Sequence, residues 1–129
     1  MGWVLWGAVA AACAPPDPTR PVPLEIWRLG DDGLTLRFAD SLREAFAAST
    51  VFVKSGGKLP GTLVVTIPHE LRWNEKGRRI RATYTVEFTD SVDRRLGSMS
   101  GTCWEDDFRS CAQRVVERAK LVAERLLQR

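Results

Sequence analysis

The clearest pattern along the chain is a strict alternation of apolar and polar residues over residues 79–89. Its apolar members are Ile80, Ala82, Tyr84, Val86 and Phe88. Because successive side chains of a strand point to opposite faces, this pattern predicts a strand with one buried and one solvated face, as in an antiparallel sheet. The preceding residues 74–77 predict a hairpin turn in which Gly77 takes the positive-φ position.

Shorter apolar runs predict the other strands of the same sheet. They lie at residues 24–29, 51–53, 63–67 and 96–103. The third of them can extend as far as Trp73 and so form the first arm of the hairpin. The last is the weakest, because Gly97 and Gly101 offer no side chain for packing.

Residues 105–126 predict a long amphipathic helix. Its apolar residues recur at every third or fourth position: Phe108, Cys111 or Ala112, Val115, Ala119, Val122 and Leu126. Glu105, Asp106 and Asp107 precede this stripe, where the positive end of the helix dipole stabilises a carboxylate. We therefore expect an acidic first turn followed by a helix that covers the sheet.

Residues 34–49 carry two competing patterns. The residues that alternate as in a strand are Leu34, Leu36 and Phe38. Those that recur every four residues, as in a helix, are Leu34, Phe38, Leu42 and Phe46. Residues 41–44 also form a capping-box sequence, which favours a helix start there. We predict one helix over residues 34–49, with a hairpin strand followed by a shorter helix as the alternative.

Together these elements predict an α+β domain of the two-layer sandwich type. The expected order is β-α-β-β-β-β-α, in which two helices cover one face of an antiparallel sheet of four to five strands. A chain of 129 residues, of which 44% are hydrophobic, suits one globular domain. We assign this domain to residues 24–129.

The N-terminal residues predict an export signal. Residues 3–14 form an apolar run that suits the core of a secretory signal and is too short to span a bilayer. The run ends in Val-Ala-Ala-Ala-Cys at residues 9–13, which resembles the lipobox of bacterial lipoproteins. In that class the small residues precede a cysteine that is lipidated and becomes the new N-terminus.

This resemblance implies a signal peptide over residues 1–13 and lipidation of Cys13 with fatty acyl chains such as palmitate. The lipid would then anchor the protein in a membrane. Cleavage as an ordinary signal peptide, which leaves a soluble periplasmic protein, is the alternative. Residues 14–23 hold five of the seven prolines, so we expect a stiff, extended tether between the anchor and the domain.

Cys103 and Cys111 remain as a pair if Cys13 is lipidated. We predict that they form a disulfide bond, which requires an oxidising compartment, with two free buried thiols as the alternative. Zinc is disfavoured, because His69 is the only histidine and the cysteine spacing matches no standard tetrahedral site. We therefore expect no metal and no cofactor.

The sequence offers no constellation of residues for catalysis. His69 follows Pro68 near the hairpin and suits a surface or structural role. Residues 97–101 fail as a nucleophile elbow, because Met99 occupies the serine position and a strand rather than a helix follows. We therefore predict a non-enzymatic protein without catalytic residues.

Arginines gather on either side of the strand at residues 79–89. They are Arg78, Arg79, Arg81, Arg94 and Arg95. On the solvent face of the sheet they would form a patch for anionic lipid headgroups, lipopolysaccharide or another anionic polymer. An ordinary solvated face is the alternative, since the net charge is only +3. Nucleic acid is not expected, because the chain carries an export signal and no aromatic residues interleave with these arginines.

Two tryptophans receive separate predictions. Trp73 lies near the hairpin tip, where we expect it to be exposed and available to contact a partner. Trp104 directly follows Cys103, and we expect it to pack over the disulfide bond.

The lipobox-like segment, the proline tether and the element order resemble small envelope lipoproteins of Gram-negative bacteria, such as the lipopolysaccharide-assembly lipoprotein. The resemblance implies an accessory or scaffold role in an envelope assembly, through an envelope protein partner or an anionic envelope component. Because Ala14 rather than Asp follows Cys13, it also implies the outer membrane, facing the periplasm. A soluble periplasmic inhibitor or immunity-type protein, which blocks an enzyme through an exposed loop, is the alternative.

Overall fold

The computed structural model describes residues 20–57 and 59–127, which form one α+β sandwich. Its strands are β1 (Val22–Arg28), β2 (Phe52–Lys54), β3 (Leu63–Ile67), β4 (Arg72–Lys76), β5 (Arg79–Thr89) and β6 (Arg95–Trp104). Helix α1 (Gly33–Ala48) follows β1, and a short 3-10 turn (Glu105–Asp107) leads into helix α2 (Phe108–Leu127). The predicted class and the order of strand, helix, strands and helix are confirmed.

The six strands form a mixed sheet rather than the expected antiparallel sheet of four to five strands. β1 pairs in parallel with β2 on one side and with β3 on the other. β3, β4 and β6 all run antiparallel to β5. The β1–β2 pair is parallel because α1 connects the two strands as a crossover, which returns the chain to the end of the sheet where β1 began. β3 then begins on the other side of β1, at the level of Leu24 where β2 ends, and continues in the same direction.

The first arm of the hairpin is not a continuation of β3. The chain leaves the sheet over residues 68–71 and starts again as β4, so that β3 and β4 pair with different parts of one edge of β5. Pro68 has no N–H group to donate to a ladder, which is consistent with a break at this point. The predicted hairpin is confirmed, and Gly77 has the expected positive φ, +66°. The turn itself is shorter than the predicted residues 74–77, because β4 continues to Lys76, which pairs with Arg79.

The first strand begins two residues earlier than predicted, within the segment expected to form the tether. β1 begins at Val22, and Pro23 pairs with Val53 of the edge strand β2. β1 has only this one neighbour at Pro23, since its pairing with β3 begins at Leu24. The missing N–H group of the proline therefore need not serve a second neighbour. The predictions for the signal peptide, the lipidation of Cys13 and most of the tether lie outside the described residues.

Both helices pack on the same face of the sheet and enclose one apolar core. At its centre the ring of Phe38 lies 4.8 Å from that of Tyr84 and 5.4 Å from that of Phe108, so α1, β5 and α2 meet there. The prediction of one helix over residues 34–49 is confirmed, and the hairpin alternative is wrong. Within the described residues, no helix is long and apolar enough to cross a membrane.

Helix α1 begins with a cap that also fixes the start of β4. The Asp32 carboxylate accepts hydrogen bonds from the backbone N–H and the hydroxyl of Thr35, at 3.3 and 2.5 Å. The hydroxyl oxygen of Thr35, which is fully buried, accepts a third bond from the N–H of Leu71 at 3.0 Å. The bond from the Thr35 hydroxyl lowers the pKa of the Asp32 carboxyl.

The predicted disulfide bond between Cys103 and Cys111 is present, with their Cα atoms 6.1 Å apart. It joins the end of β6 to the second turn of α2 and therefore holds this helix against the sheet.

Candidate functional site

The face of the sheet opposite the helices carries a group of cations beside one tryptophan. On β5 this open face holds the residues that alternate with the buried ones, including Arg79 and Arg81. β4 lies in register with them, so the cations that share this face and end of the sheet are Arg72, Lys76, Arg79 and Arg81. We call these four residues and Trp104 the hairpin cluster.

Trp104 stacks with the two arginines that β5 contributes to the hairpin cluster. It lies opposite Arg81 in the β5–β6 ladder, and the guanidinium carbon of Arg79 is 4.1 Å from the centre of its ring. The corresponding distance from Arg81 is 5.9 Å. Such stacking orients the guanidinium groups and leaves their N–H donors available. Trp104 does not pack over the disulfide as expected, because successive residues of a strand point to opposite faces and Cys103 points to the core.

One cation of the cluster is neutralised by an acidic residue. Arg79 donates two hydrogen bonds to Asp106, at 2.6 and 3.0 Å. These bonds lower the pKa of the Asp106 carboxyl and raise that of Arg79. The pair therefore positions Arg79 over the tryptophan ring and contributes no net charge.

The other cations of the cluster are uncompensated among the residues described. Arg81 donates one hydrogen bond, to the hydroxyl of Thr102 at 3.3 Å. Neither it nor Arg72 nor Lys76 forms an ion pair within the described part of the chain. All three are exposed, so the cluster presents three positive charges to solvent on the open face of the sheet.

The five arginines predicted to gather are divided between the two ends of the sheet. Arg78 lies in the β4–β5 turn next to the hairpin cluster, whereas Arg95 lies opposite Thr89 at the far end of β5. At about 3.3 Å per residue, the strand between Arg81 and Thr89 spans roughly 26 Å. Arg94 and Arg95 approach Asp90 and Glu87 to 3.9 Å each, so acidic neighbours reduce the positive charge there.

Trp73 is exposed as predicted, but it lies on the opposite face from the hairpin cluster. It is in register with Ala82, whose side chain points to the helix layer, and 57% of its surface is accessible. Its proposed contact with a partner stays a prediction. A single ligand on the open face would not reach both Trp73 and the cluster.

A second concave feature lies beyond the short edge strand β2. It is a groove of about 720 Å³ between α1 and the β1–β2 edge. Its apolar walls are formed by Leu24, Ile26, Trp27, Phe46, Ala47, Phe52 and Val53, and its charged residues are Glu25, Arg43 and Lys54. We call this feature the edge groove. The sequence gives no sign of it, because its walls come from three separate segments.

The acidic residues before α2 are engaged with protein groups rather than grouped for a cation. Glu105 pairs with Arg37 at 2.7 Å, Asp106 pairs with Arg79, and Asp107 accepts bonds from the Ser110 hydroxyl at 2.9 Å. No group of three or more His, Cys, Asp or Glu residues suited to a metal ion occurs in the described segments. His69 lies on the surface, with Nδ1 3.0 Å from the carbonyl oxygen of Glu70.

The chain matches no known protein family and no curated protein. Among solved structures, it resembles a minor lipoprotein from Acinetobacter baumannii at 13% identity, over 83% of this chain and 95% of that chain, with a TM-score of 0.47. It also resembles PelC from Paraburkholderia phytofirmans, a dodecamer, at 16% identity, over 89% of this chain and 92% of that chain, with a TM-score of 0.51. PelC therefore shares this fold, and at such low identity the likeness shows nothing beyond the fold.

Proposed function

We propose that this chain is a non-enzymatic accessory protein of the bacterial envelope, anchored to a membrane by a lipid on Cys13. In this role it binds an anionic envelope component through the hairpin cluster. The observation that carries the proposal is the exposed trio Arg72, Lys76 and Arg81 on the open face, of which Arg81 lies over the Trp104 ring. No acidic partner among the described residues pairs with these cations.

The chemistry of the cluster supports a phosphate or carboxylate ligand. Guanidinium groups bind both anions through paired N–H donors, and Lys76 adds a mobile point charge. Asn74 lies opposite Arg81 on β4 and adds an amide to the same face. A repeating anion, such as an acidic polymer, would engage several of these donors at once.

Two further observations support an envelope location. The disulfide bond between Cys103 and Cys111 requires an oxidising compartment, and the lipobox-like residues 9–13 supply a route to it. The outer membrane is the membrane that we propose, because Ala14 follows Cys13.

Metabolic labelling with a fatty-acid analogue in a Gram-negative host tests the anchor. We expect label on the full-length protein, loss of the label in the Cys13→Ser variant, and release of that variant by osmotic shock. An unlabelled wild-type protein in the osmotic-shock fraction would support the soluble periplasmic alternative instead.

Binding to polyphosphate and to phosphatidylglycerol vesicles tests the cluster. The full chain in detergent should bind the soluble polymer in a salt-sensitive manner, and the Arg72→Glu/Arg81→Glu variant should bind at least roughly thirtyfold more weakly. The Arg94→Glu/Arg95→Glu variant carries the same charge change at the other end of the sheet and should retain binding. Equal losses in the two variants would show that net charge, rather than the cluster, attracts the anion.

A further inference from the structure

The edge groove has the composition of a small-molecule site. Its volume of about 720 Å³ lies within the usual range of ligand pockets, roughly 300–1,000 Å³. The walls are mostly aliphatic and aromatic, with Phe46 and Phe52 in edge-to-face contact at 5.1 Å. On the α1 side, the groove is lined by Ala47. The small side chain of this residue leaves space that a larger side chain would fill.

The charged residues of the groove are not equivalent. Arg43 pairs with Asp40 at 3.0 Å, and Glu25 accepts a hydrogen bond from the indole N–H of Trp27 at 2.9 Å. Lys54, at the end of β2, has no ion pair with any residue in the described ranges. The Glu25 carboxylate also has no ion pair among the described residues, but it belongs to the face of β1 opposite to that of Leu24, whereas Lys54 is in register with Leu24 and shares its face. On the α1 side of the groove, the exposed ammonium group of Lys54 therefore remains unneutralised.

We propose that the edge groove binds an anionic amphiphile, whose single acyl chain lies between α1 and the β1–β2 edge. Burial of the chain against Ile26, Phe46 and Phe52 provides the affinity, because apolar surface leaves water. The anionic head lies beside Lys54, which provides the charge that the head requires. A fatty-acid carboxylate and a lysophospholipid phosphate share this chemistry.

The edge groove is separate from the hairpin cluster. The groove lies along the β1–β2 edge, whereas the cluster lies on the open face around the β4–β5 turn. Binding of an amphiphile is therefore a second activity, and it holds or fails independently of the anion site.

Titration of the full-length protein and of its Cys13→Ser variant with laurate and with lauroyl lysophosphatidylglycerol tests the proposal. Both probes are used below the concentrations at which they form micelles, and isothermal titration calorimetry measures binding. We expect saturable binding of at least one probe, and the preferred probe distinguishes a carboxylate from a phosphate head. Dodecyl maltoside, which has a neutral head, should bind more weakly.

Two neighbouring alanines provide a matched pair of variants. Ala47 lines the groove and Ala48 does not, although both are exposed residues of α1. Ala47→Phe should abolish binding at probe concentrations that saturate the wild type, whereas Ala48→Phe should leave binding unchanged. Lys54→Glu should weaken binding of the anionic probes, and Lys76→Glu, in the hairpin cluster, should not.

The proposal is overturned if neither anionic probe binds, if dodecyl maltoside binds equally well, or if Ala47→Phe and Ala48→Phe behave alike. It is also overturned if only the Cys13→Ser variant binds, because the anchor's own acyl chain would then occupy the groove. Circular dichroism of each variant establishes that it is folded.

Discussion

Tyr84 and Gly101 lie directly opposite each other in the β5–β6 ladder, and the tyrosine ring occupies the space above the glycine. A Cβ atom on Gly101 would lie 2.6 Å from the Tyr84 hydroxyl oxygen and 2.9 Å from the adjacent ring carbon. Tyr84 is fully buried, and its burial raises the pKa of its hydroxyl. Gly101 makes the sequence pattern of β6 weak, but its lack of a side chain makes room for the buried ring of Tyr84.

Gly101→Ala should destabilise the domain by about 1–3 kcal/mol, because Tyr84 must shift within a close-packed core. Urea unfolding measures the change. Gly97→Ala, four positions earlier in β6, is the matched control, since its Cβ would meet only Val122 at 3.8 Å. If the two variants are equally stable, Tyr84 is not confined by Gly101.

Thr35→Val should cost about 1–3 kcal/mol, although the two side chains have nearly the same shape. The substitution leaves the buried N–H of Leu71 without an acceptor and removes one bond to Asp32. Thr35→Ser keeps the hydroxyl and should recover most of the loss. A valine variant as stable as the serine variant would contradict the importance of this hydroxyl.

Reduction of the Cys103–Cys111 bond should lower the melting temperature on the order of 10 °C. The bond closes a loop with a sequence separation of only 8, for which chain entropy gives roughly 2–3 kcal/mol. The Cys103→Ala/Cys111→Ala variant should melt at the same temperature with and without reductant. An unchanged melting temperature of the reduced wild type would mean that the bond does not hold α2 in place.

The free energy of unfolding should fall in acid, partly because the Asp32 carboxylate becomes protonated. Its folded-state pKa is lowered by the Thr35 bonds, so its contribution is present above the unfolded value near 3.8 and is lost as the pH falls through the folded value. Asp32→Asn removes the charge and keeps an oxygen acceptor at the cap. The difference in unfolding free energy between wild type and this variant should be largest near pH 7 and should narrow below about pH 4. A difference that does not change with pH would exclude this linkage.

The helices were predictable because each presents a continuous apolar stripe. Phe38, Leu42 and Phe46 face the core at the four-residue spacing seen in the sequence. The parallel pairing of β1 was not predictable in this way. Its neighbours in the sheet are β2 and β3, which are separated from it in sequence by α1. Which strands lie beside β1 depends on the path of the chain across the sheet, and the residues of β1 do not reveal that path.

The hairpin cluster was predicted only in part, for two physical reasons. Every residue of β4 is exposed, so Arg72 and Lys76 belong to a strand with no apolar alternation to reveal it. Arg81 and Arg95 are close in sequence, but a long extended strand separates them in space. The five arginines are close in sequence, but they do not all lie together in the structure.

The direction of β1 determines where the hairpin cluster would stand relative to a membrane. Val22 begins at the same end of the sheet as Thr89 and Arg95, whereas the β4–β5 turn lies at the other end. The residues between Cys13 and Val22 reach at most about 29 Å when fully extended, and β5 adds roughly 35 Å beyond them. If Cys13 carries the anchor, the chain enters the domain at the end of the sheet that lies farthest from the hairpin cluster. We then expect its anionic ligand to be a component that extends into the space beyond that membrane, rather than the headgroups beneath the domain.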